Sequence, residues 1–397
     1  MGFATDVVVI GGCGRVGLPL GIAFADRGLT VGLYDIDGSA VERVGRGQMP
    51  FREAGADEAL GHALEGGRLS ASTNPSMIKD AEHVVITLAT DVDLHLNPDI
   101  HGFLASVERY AEHFLEGQLL VLRSTLYPGV TVLVEDIVQR LGRRIDVAFC
   151  PERIAEGQAM TELFKLPQIV GARTPWALDR AEALFRHLTE EVVRLTPEEA
   201  ELAKLFSNTW RYAKFAIANQ LFMIANDFGV DYETVRSAMA QSYPRAADIP
   251  RAGFAAGPCL FKDTMQLASF NNNNFTLGHA SMLVNEGLPL YLVSRLSQRY
   301  QLSEMTVGIL GMAFKGESDD IRSSLSYKLK RVLLVRAVEV LCTDPYVTSD
   351  PDLVPLEEVL ERADLLIIAT PHSVFADLKT RIPVVDIWNL RGSGVRV

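Results

Sequence analysis

Short apolar runs alternate with helical patterns along the N-terminal part of the chain. The predicted strands cover residues 7–10, 30–34, 83–88, 119–122 and 145–149, and the predicted helices cover residues 18–27, 40–44, 100–114 and 131–141. Strands and helices in alternation are typical of an α/β fold whose parallel sheet is wound on both faces.

The remainder of the chain has a helical centre and a second α/β region. A long periodic segment at residues 197–228 predicts one long helix or two abutting helices, and another helix is predicted at 276–299. A strand at 306–310 then leads into a glycine, followed by a helix at 325–333 and strands at 338–342, 365–369 and 383–386. We therefore predict two Rossmann-like, doubly wound domains, residues 1–194 and 300–397, joined by a central helical domain at 195–299.

A glycine loop follows the first predicted strand. Gly12, Gly14 and Gly17 fill the pattern G-x-G-x-x-G, and Asp35 ends the second predicted strand. Strand, glycine loop, helix, strand and acid in this order predict a dinucleotide site, with the acid on the ribose 2′-hydroxyl. The negative charge of Asp35 would repel a 2′-phosphate, so we expect NAD rather than NADP. The second predicted nucleotide-like region lacks the full glycine triplet.

Further candidates lie in the same loop and at the ends of later strands. We expect Arg15 and Val16 beside the cofactor, although Arg15 could equally be an exposed arginine at a helix start. Ligands bind beyond the carboxyl ends of strands in such sheets, which makes Thr125 and Glu152 candidates by position as well as by chemistry. Thr125 could instead cap the helix that begins near Thr131.

Cys259 lies in a run of small residues and is followed by Lys262 and Asp263. Glycine and alanine allow a bulky ligand to approach the backbone closely. A neighbouring cation favours the thiolate, which is the nucleophilic form of cysteine. The alternative is a buried structural cysteine in a loop before a helix.

The long predicted helix carries Lys204 and Asn208, which are four residues apart and so project from one face. An ammonium and an amide together suit a developing oxyanion. The alternative is a solvated lysine beside a neutral asparagine. A long apolar helix also predicts a subunit interface, and hence a homodimer, although ordinary core packing would produce the same pattern.

Four cationic side chains lie where they could contact phosphates. Arg245 and Arg251 belong to a segment at residues 237–253 that we predict to be irregular, and Lys315 and Arg322 follow the glycine of the last third. Surface positions in loops are the alternative for Lys315 and Arg322.

Composition limits the classes of function. The chain has 397 residues, and its 48% of hydrophobic residues is an ordinary globular composition. Its net charge of −12 argues against a general role on nucleic acid or an anionic membrane. The four cysteines are scattered and have no metal-like spacing, so we expect no metal and a cytoplasmic protein. We expect no membrane span, because no apolar run is long enough.

These motifs together resemble the UDP-glucose/GDP-mannose dehydrogenase family of nucleotide-sugar 6-dehydrogenases. The resemblance covers essentially the whole chain and is carried by residues 11–17, 123–129, 151–157, 204–208, 253–263 and 314–322. It implies that the C6 alcohol of a nucleotide sugar is oxidised twice to a uronic acid, at the expense of two NAD. Which sugar and which base are left open, with UDP-glucose or a UDP-N-acetylhexosamine favoured.

The resemblance also implies roles for single residues. Cys259 would form a thiohemiacetal and then a thioester, while Lys204 and Asn208 would stabilise oxyanions. Asp263 would assist proton transfer with a water positioned by Thr125, and Glu152 would assist the hydrolytic water. Thr90 would lie beside the cofactor, and Arg245 would reach across the dimer. Expected substrate contacts are Glu152, Arg153, Glu156, Lys204, Asn208, Arg245, Arg251, Gly253, Phe314, Lys315 and Arg322.

Three segments depart from the family pattern, at residues 89–91, 255–258 and 322–325. None removes a predicted catalytic group, so they bear on the substrate more than on the activity. Two alternatives remain: a two-electron dehydrogenase of the 3-hydroxyacid type, and a nucleotide-sugar-binding protein without turnover.

Overall fold

The computed structural model describes residues 2–90, 98–255, 257–395 and 397. Asp91 and Ala256, which belong to two of the departing segments, lie outside the described residues. The chain divides into two compact units, Met1–Ser207 and Asn208–Val397, and the division falls inside one long helix. The central helices and the C-terminal sheet share one unit, so this division does not test the domain boundaries predicted at residues 194 and 299. Those boundaries stay a prediction.

The first unit is built on an eight-stranded sheet with the order β3-β2-β1-β4-β5-β6-β7-β8. All pairs are parallel except β6 with β7. The order of the first six strands is that of the dinucleotide-binding fold. The strands are β1 Thr5–Ile10, β2 Val31–Tyr34, β3 Leu69–Ser72, β4 Ala81–Ile86, β5 Leu119–Leu122, β6 Asp146–Phe149, β7 Gln168–Ala172 and β8 Val192–Leu195.

Helices cover both faces of this sheet, which explains why its central strands are continuous apolar runs. In β1, Val7 and Val9 enter one buried cluster, whereas Val8 and Ile10 enter the cluster on the opposite face. The helices of the unit are α1 Gly17–Asp26, α2 Gly38–Gly45, α3 Ala56–Glu65, α4 Ile100–Tyr110, α5 Val130–Arg140, α6 Ala159–Lys165 and α7 Pro175–Phe185, with 3-10 turns at Pro75–Asp80 and Ala111–His113.

A single helix, α8 Pro197–Asp227, continues from the first unit into the second. The sequence left open one helix or two abutting helices, and the structure has one of 31 residues. Apolar positions on several sides of α8 are buried, among them Ala200 in the first unit and Phe222 in the second.

The second unit combines helices with a four-stranded parallel sheet of order β10-β9-β11-β12. One buried cluster contains Phe222 of α8, Leu292 of a central helix and Ile309 of the sheet, so these layers pack into one core. The elements are α9 Tyr232–Ala240, α10 Leu260–Phe270, α11 Thr276–Arg299, β9 Thr306–Leu310, α12 Leu325–Leu333, β10 Glu339–Thr343, α13 Leu356–Arg362, β11 Leu365–Ile368 and β12 Val384–Asp386, with 3-10 turns at Pro244–Ala246, Leu302–Glu304 and Ser373–Phe375.

The predicted α/β class and the predicted strands with strong apolar runs are confirmed. The prediction of an irregular segment at 237–253 is wrong at its start, because α9 continues to Ala240 after its Asp231 cap. No helix in the described ranges is long and apolar enough to cross a bilayer.

Candidate active site

The glycine loop between β1 and α1 is packed too closely for side chains. A Cβ atom on Gly17 would lie 2.3 Å from the carbonyl oxygen of Gly11, and one on Gly12 would lie 2.8 Å from the Cα of Leu33. The Asp35 carboxylate accepts the N–H of Cys13 at 3.0 Å and so reaches the loop from the end of β2. This closely packed glycine loop, with the Asp35 carboxylate beside it, fits the dinucleotide that the sequence predicts.

Arg15 connects the glycine loop to the loop after β6. Its guanidinium is 2.7 Å from a carboxylate oxygen of Glu156 and lies 5.0 Å from the ring centroid of Phe51. The Arg15 side chain is 22% exposed, so the structure does not support a freely solvated arginine at this position. Arg15 and Glu156, predicted separately for cofactor and substrate, are therefore in direct contact.

Glu53, which the sequence reasoning missed, holds the same loop. Its buried carboxylate accepts the N–H groups of Gly157 and Ala159, both at 2.8 Å, at the start of α6. The N-cap residue of α6, Gln158, makes no side-chain cap of its own. A distant carboxylate thus supplies the missing cap, and no short-range sequence signal links the two segments.

Glu152 is held in a buried ion pair at the carboxyl ends of β5 and β6. One of its oxygens accepts from Arg123 Nε at 3.0 Å and Nη2 at 2.5 Å, and the other accepts the N–H groups of Arg153 and Ile154 at 2.7 and 3.0 Å. The side chains of Arg123 and Glu152 are 0% and 9% exposed. Four donors therefore engage this carboxylate, whose contacts fix the loop; its action on a hydrolytic water stays a prediction.

Arg123 has its remaining donors satisfied as well. It donates to the carbonyl of Cys150 at 3.0 Å and to the Gln168 side chain at 3.1 Å, and its guanidinium lies 4.7 Å from the Phe185 ring centroid. Arg153 turns towards the carbonyl of Pro167, to which it donates a hydrogen bond. Arg123 lies in one of the motifs that carry the family resemblance, but no local sequence signal indicated its ion pair with Glu152.

Thr125 lies in the loop after β5 and contacts the loop after β4. Its carbonyl accepts from Thr90 Oγ1 at 2.6 Å, and the adjacent Ser124 donates to the carbonyl of Leu88, also at 2.6 Å. The N-cap of α5 is Gly129 rather than Thr125, so the alternative that Thr125 caps this helix is wrong.

Lys204 and Asn208 lie one turn apart on α8, on either side of the division between the units. Both are buried, with 8% and 5% exposure, which excludes the alternative of a solvated lysine. Within the described part of the chain, no hydrogen bond or ion pair engages the Lys204 ammonium group. The amide of Asn208 donates to Asp263 at 2.6 Å, so the second unit brings together two of the predicted catalytic residues.

Asp263 is a fully buried carboxylate with one satisfied oxygen. Oδ2 accepts from Asn208, whereas Oδ1 has no partner among the described atoms. The N–H of Asp263 donates to the carbonyl of Cys259 at 2.9 Å, one helical turn away on α10. A buried carboxylate oxygen without a donor is costly, which suits a group that must accept a proton or bind water.

Cys259 differs from the other three cysteines. It is exposed and is the N-cap residue of α10, where the helix dipole favours negative charge. The remaining thiols are buried, and burial raises the pKa of Cys13 and Cys150 to about 12 and that of Cys342 to about 11. The alternative of a buried structural cysteine is therefore wrong for Cys259.

Gly253 is fixed by an asparagine that the sequence reasoning missed. Asn219 of α8 accepts the N–H of Gly253 at 2.9 Å and donates to its carbonyl at 3.0 Å, and it also bonds to Asn285. Gly253 has φ +152°, and a Cβ atom there would lie 2.4 Å from the Trp388 ring. The segment before the cysteine is thus held on both sides.

The segment after β9 contacts the cysteine loop. A Cβ atom on Gly257 would lie 2.5 Å from the Phe314 ring, and the N–H of Gly257 donates to the carbonyl of Ser323 at 3.3 Å. Lys315 Nζ lies 5.8 Å from the centroid of the same ring. Among the predicted substrate contacts, Phe314 and Lys315 therefore lie beside the nucleophile segment.

The three predicted arginines of this unit have internal partners. Arg322 donates from Nη2 to buried Asp320 at 2.6 Å and keeps 57% of its side chain exposed. Arg251 lies 3.7 Å from Glu233, and Arg245 lies 5.7 Å from the ring centroid of Tyr243. The phosphate roles of Arg245 and Arg251 stay predictions.

Comparison with known proteins places these motifs in a family. Residues 5–189 match the NAD binding domain of the UDP-glucose/GDP-mannose dehydrogenase family, residues 198–286 its central domain and residues 308–391 its UDP binding domain. The chain belongs to this family. The resemblance seen in the sequence is thereby confirmed, together with the α/β fold, NAD as cofactor and oxidoreductase activity.

Individual relatives agree with this assignment. A UDP-N-acetyl-D-mannosamine dehydrogenase of Pyrococcus horikoshii is 30% identical, covering 93% of this chain and 90% of the relative, and that of Escherichia coli is 29% identical, covering 94% and 95%. A solved structure of the Pyrococcus horikoshii UDP-D-ManNAc dehydrogenase has a TM-score of 0.89 at 29% identity, covering 97% of this chain and 96% of that one. A UDP-glucose dehydrogenase from Pyrobaculum islandicum has 0.90 at 28%, covering 99% and 96%.

We predict different effects for alanine substitutions at two glycines of the cofactor loop. Gly17→Ala should destabilise the unit by about 1–3 kcal/mol, because its Cβ would meet backbone at 2.3 Å. Gly14→Ala, where the nearest atom is 3.3 Å away, should leave the unfolding temperature nearly unchanged but weaken NAD binding, because the pyrophosphate approaches that glycine. Thermal melts without NAD compare the stabilities of the two variants, and melts with NAD compare how strongly each binds the cofactor. Equal melting temperatures of the two variants without NAD would contradict the predicted difference in stability.

The buried pair predicts a large stability effect. Arg123→Met should cost about 3–5 kcal/mol of unfolding free energy, because Glu152 would remain buried without its cation. Arg173→Met, which breaks an exposed pair with Glu135 and Glu198, is the control and should cost about 0–1 kcal/mol. Urea denaturation measures both, and a cost for Arg123→Met no larger than that of the control would refute the assignment.

Proposed function

We propose that this chain oxidises the C6 alcohol of a nucleotide sugar twice, through covalent adducts at Cys259, to give the uronic acid. One alcohol, two NAD and one water become one carboxylate, two NADH and three protons. NAD, when bound at the glycine loop, supplies the hydride acceptor for both oxidations. Gly12, Gly14, Gly17 and Asp35 would hold it.

The exposure of Cys259 at the start of α10 carries the proposal. An aldehyde has no alkoxide from which a hydride can leave until a nucleophile adds to it. Thiolate addition forms a thiohemiacetal, and loss of hydride from the same carbon gives a thioester. Water then replaces sulfur, so that the thiolate is released and the carboxylate forms.

Asp263 is the group we assign to proton transfer. Its Oδ1 has no partner among the described atoms, and Asn208 holds the other oxygen, so the carboxylate is oriented yet able to accept a proton. Its place one turn from Cys259 on α10 favours action at the atoms bonded to that sulfur. Thr125 would position the water concerned.

Lys204 would stabilise the oxyanion. A buried ammonium without a described partner lowers its free energy when an anion forms beside it. Removal of an oxyanion donor typically costs about 2.7–4 kcal/mol of transition-state stabilisation. Asn208 would share this role from the next turn of α8.

We propose a UDP-linked hexose as substrate, and a UDP-N-acetylhexosamine ahead of UDP-glucose. The match of residues 308–391 to a UDP binding domain supports the nucleotide, and the curated relatives named UDP-N-acetyl-D-mannosamine dehydrogenases support the sugar. A two-electron 3-hydroxyacid dehydrogenase would leave residues 308–391 without a role. The 3-hydroxyisobutyrate dehydrogenase of Mycobacterium tuberculosis, at 13% identity and a TM-score of 0.53, shares only the fold.

We further propose a homodimer formed through α8, in the cytoplasm. Phe206, Trp210, Ile217 and Ile224 lie on one stripe of this helix at spacings of four and seven residues, and they are 53%, 60%, 53% and 58% exposed. An apolar stripe of this length is costly in water. A second copy offers the same stripe, so a two-fold contact would cover both.

The double oxidation predicts two NADH for each sugar acid formed. Cys259→Ser should stall at or before the aldehyde and yield at most one NADH per sugar, because a serine alcohol is a poor nucleophile and a poor leaving group here. Absorbance of reduced cofactor, with a panel of UDP-, GDP- and TDP-sugars, gives the count. Cys342→Ala, which changes a buried thiol, is the control and should keep both steps.

One NADH per sugar in the wild type would reject the four-electron reaction in favour of a two-electron dehydrogenase. Absence of NADH with every nucleotide sugar, despite binding, would favour a binding protein without turnover.

The dimer predicts that a charge in the stripe separates the subunits. Ile217→Glu should shift the mass measured by light scattering from dimer to monomer, because a carboxylate would be buried against apolar side chains. Trp176→Glu, at a position that is 68% exposed on α7, is the matched control and should leave the mass unchanged. A monomeric wild type would overturn the proposal.

A further inference from the structure

Helix α5 begins without a cap of its own. Its N-cap residue is Gly129, which has φ +95° and no side chain to accept the free N–H groups of the first turn. The N–H of Val130 donates to the carbonyl of Tyr127 at 3.1 Å, whereas Thr131, which is only 1% exposed, must find the acceptor for its N–H elsewhere. Buried N–H groups need an acceptor, so another part of the chain must supply one.

Glu201 of α8 supplies that acceptor. Its carboxylate accepts from Gly129 N at 2.7 Å, from Thr131 N at 2.9 Å and from Thr131 Oγ1 at 2.5 Å. The side chain is fully buried, and burial raises the pKa of Glu201 although the three hydrogen bonds oppose the rise. A carboxylate at a helix N-terminus is also favoured by the helix dipole.

The same carboxylate joins two predicted parts of the catalytic apparatus. Glu201 is three residues before Lys204 on α8, so both project from the same side of that helix. At its other end, it holds the loop that carries Thr125, whose carbonyl is itself bonded to Thr90. All of these residues belong to the first unit.

We propose that Glu201 is a positioning residue that sets the register of α8, and with it Lys204, against the loop of Thr125. This inference rests on the proposed function, which places Lys204 and Thr125 at the reacting carbon. Glu201 acts through these residues and does not touch the substrate. Glu53, which caps α6 from a distance of more than a hundred residues along the chain, shows the same device at the neighbouring loop.

The experiment compares Glu201→Gln and Glu201→Ala with wild type in the full-length protein. Both should lower kcat by about 10- to 100-fold, because small displacements of catalytic groups are costly in rate. The KM for nucleotide sugar and the Kd for NAD should change little. Glu198→Gln, on the first turn of the same helix and in an exposed pair with Arg173, is the control and should keep kcat.

Chemical rescue separates positioning from plain stability. Acetate or formate added to Glu201→Ala should recover part of the lost kcat, because the vacated N-terminus of α5 accepts a small carboxylate. Chloride at equal ionic strength should not. Thr131→Val offers a gentler change, since it removes one of the three donors, and its effect on kcat should vanish in the Glu201→Gln background.

Unchanged kcat in a folded Glu201→Gln variant would overturn the inference. So would equal losses in kcat and NAD affinity without rescue, which would mark a purely structural cap. If the alanine variant does not fold, the test uses Thr131→Val in the wild-type and Glu201→Gln backgrounds. A loss of kcat that is equal in both backgrounds would then contradict the inference. The NADH count of the wild type is measured separately, so a failure of the proposed double oxidation is distinguishable from a failure of this inference.

Discussion

The loops at the carboxyl ends of the large sheet depend on buried charges that are satisfied inside the first unit. The carboxyl-terminal parts of the central strands β4, β5 and β6 are apolar and covered on both faces, so the polar loops that follow them begin in a dry environment. Arg123 with Glu152 and the carboxylates of Glu53 and Glu201 supply hydrogen bonds that water would otherwise make. Unpaired, each charge would cost several kcal/mol; paired, it fixes a loop.

Fixed loops matter to the proposed reaction, because it would need the same geometry in two successive oxidations. The glycine loop and Thr125 belong to the first unit, whereas Cys259 and Asp263 belong to the second, and α8 carries a catalytic candidate in each. Groups that are already oriented need little reorganisation free energy while charge develops in the transition state. Buried hydrogen bonds at Gly253 and at the start of α5 would serve this purpose in their respective units.

Much of this architecture is readable from the sequence, because its signals are local. The glycine loop with Asp35, the apolar strands and Cys259 before a helix depend on residues close together in the chain. Glu201, Glu53 and Asn219 could not be found in this way, since their partners lie about 70, 104 and 34 residues away. The short elements β3, α9 and α13 were also missed, because four to nine residues carry little periodic pattern.

The central claim is that one sulfur holds the sugar carbon between its two oxidations, and mass spectrometry of protein quenched during turnover tests it most directly. With UDP-N-acetyl-D-mannosamine and NAD in excess, the account predicts an acyl adduct on the peptide that contains Cys259. The peptides of Cys13, Cys150 and Cys342 should carry none, because those thiols are buried. Steady formation of the uronic acid without any adduct on Cys259, or with an adduct on another cysteine, would contradict the account.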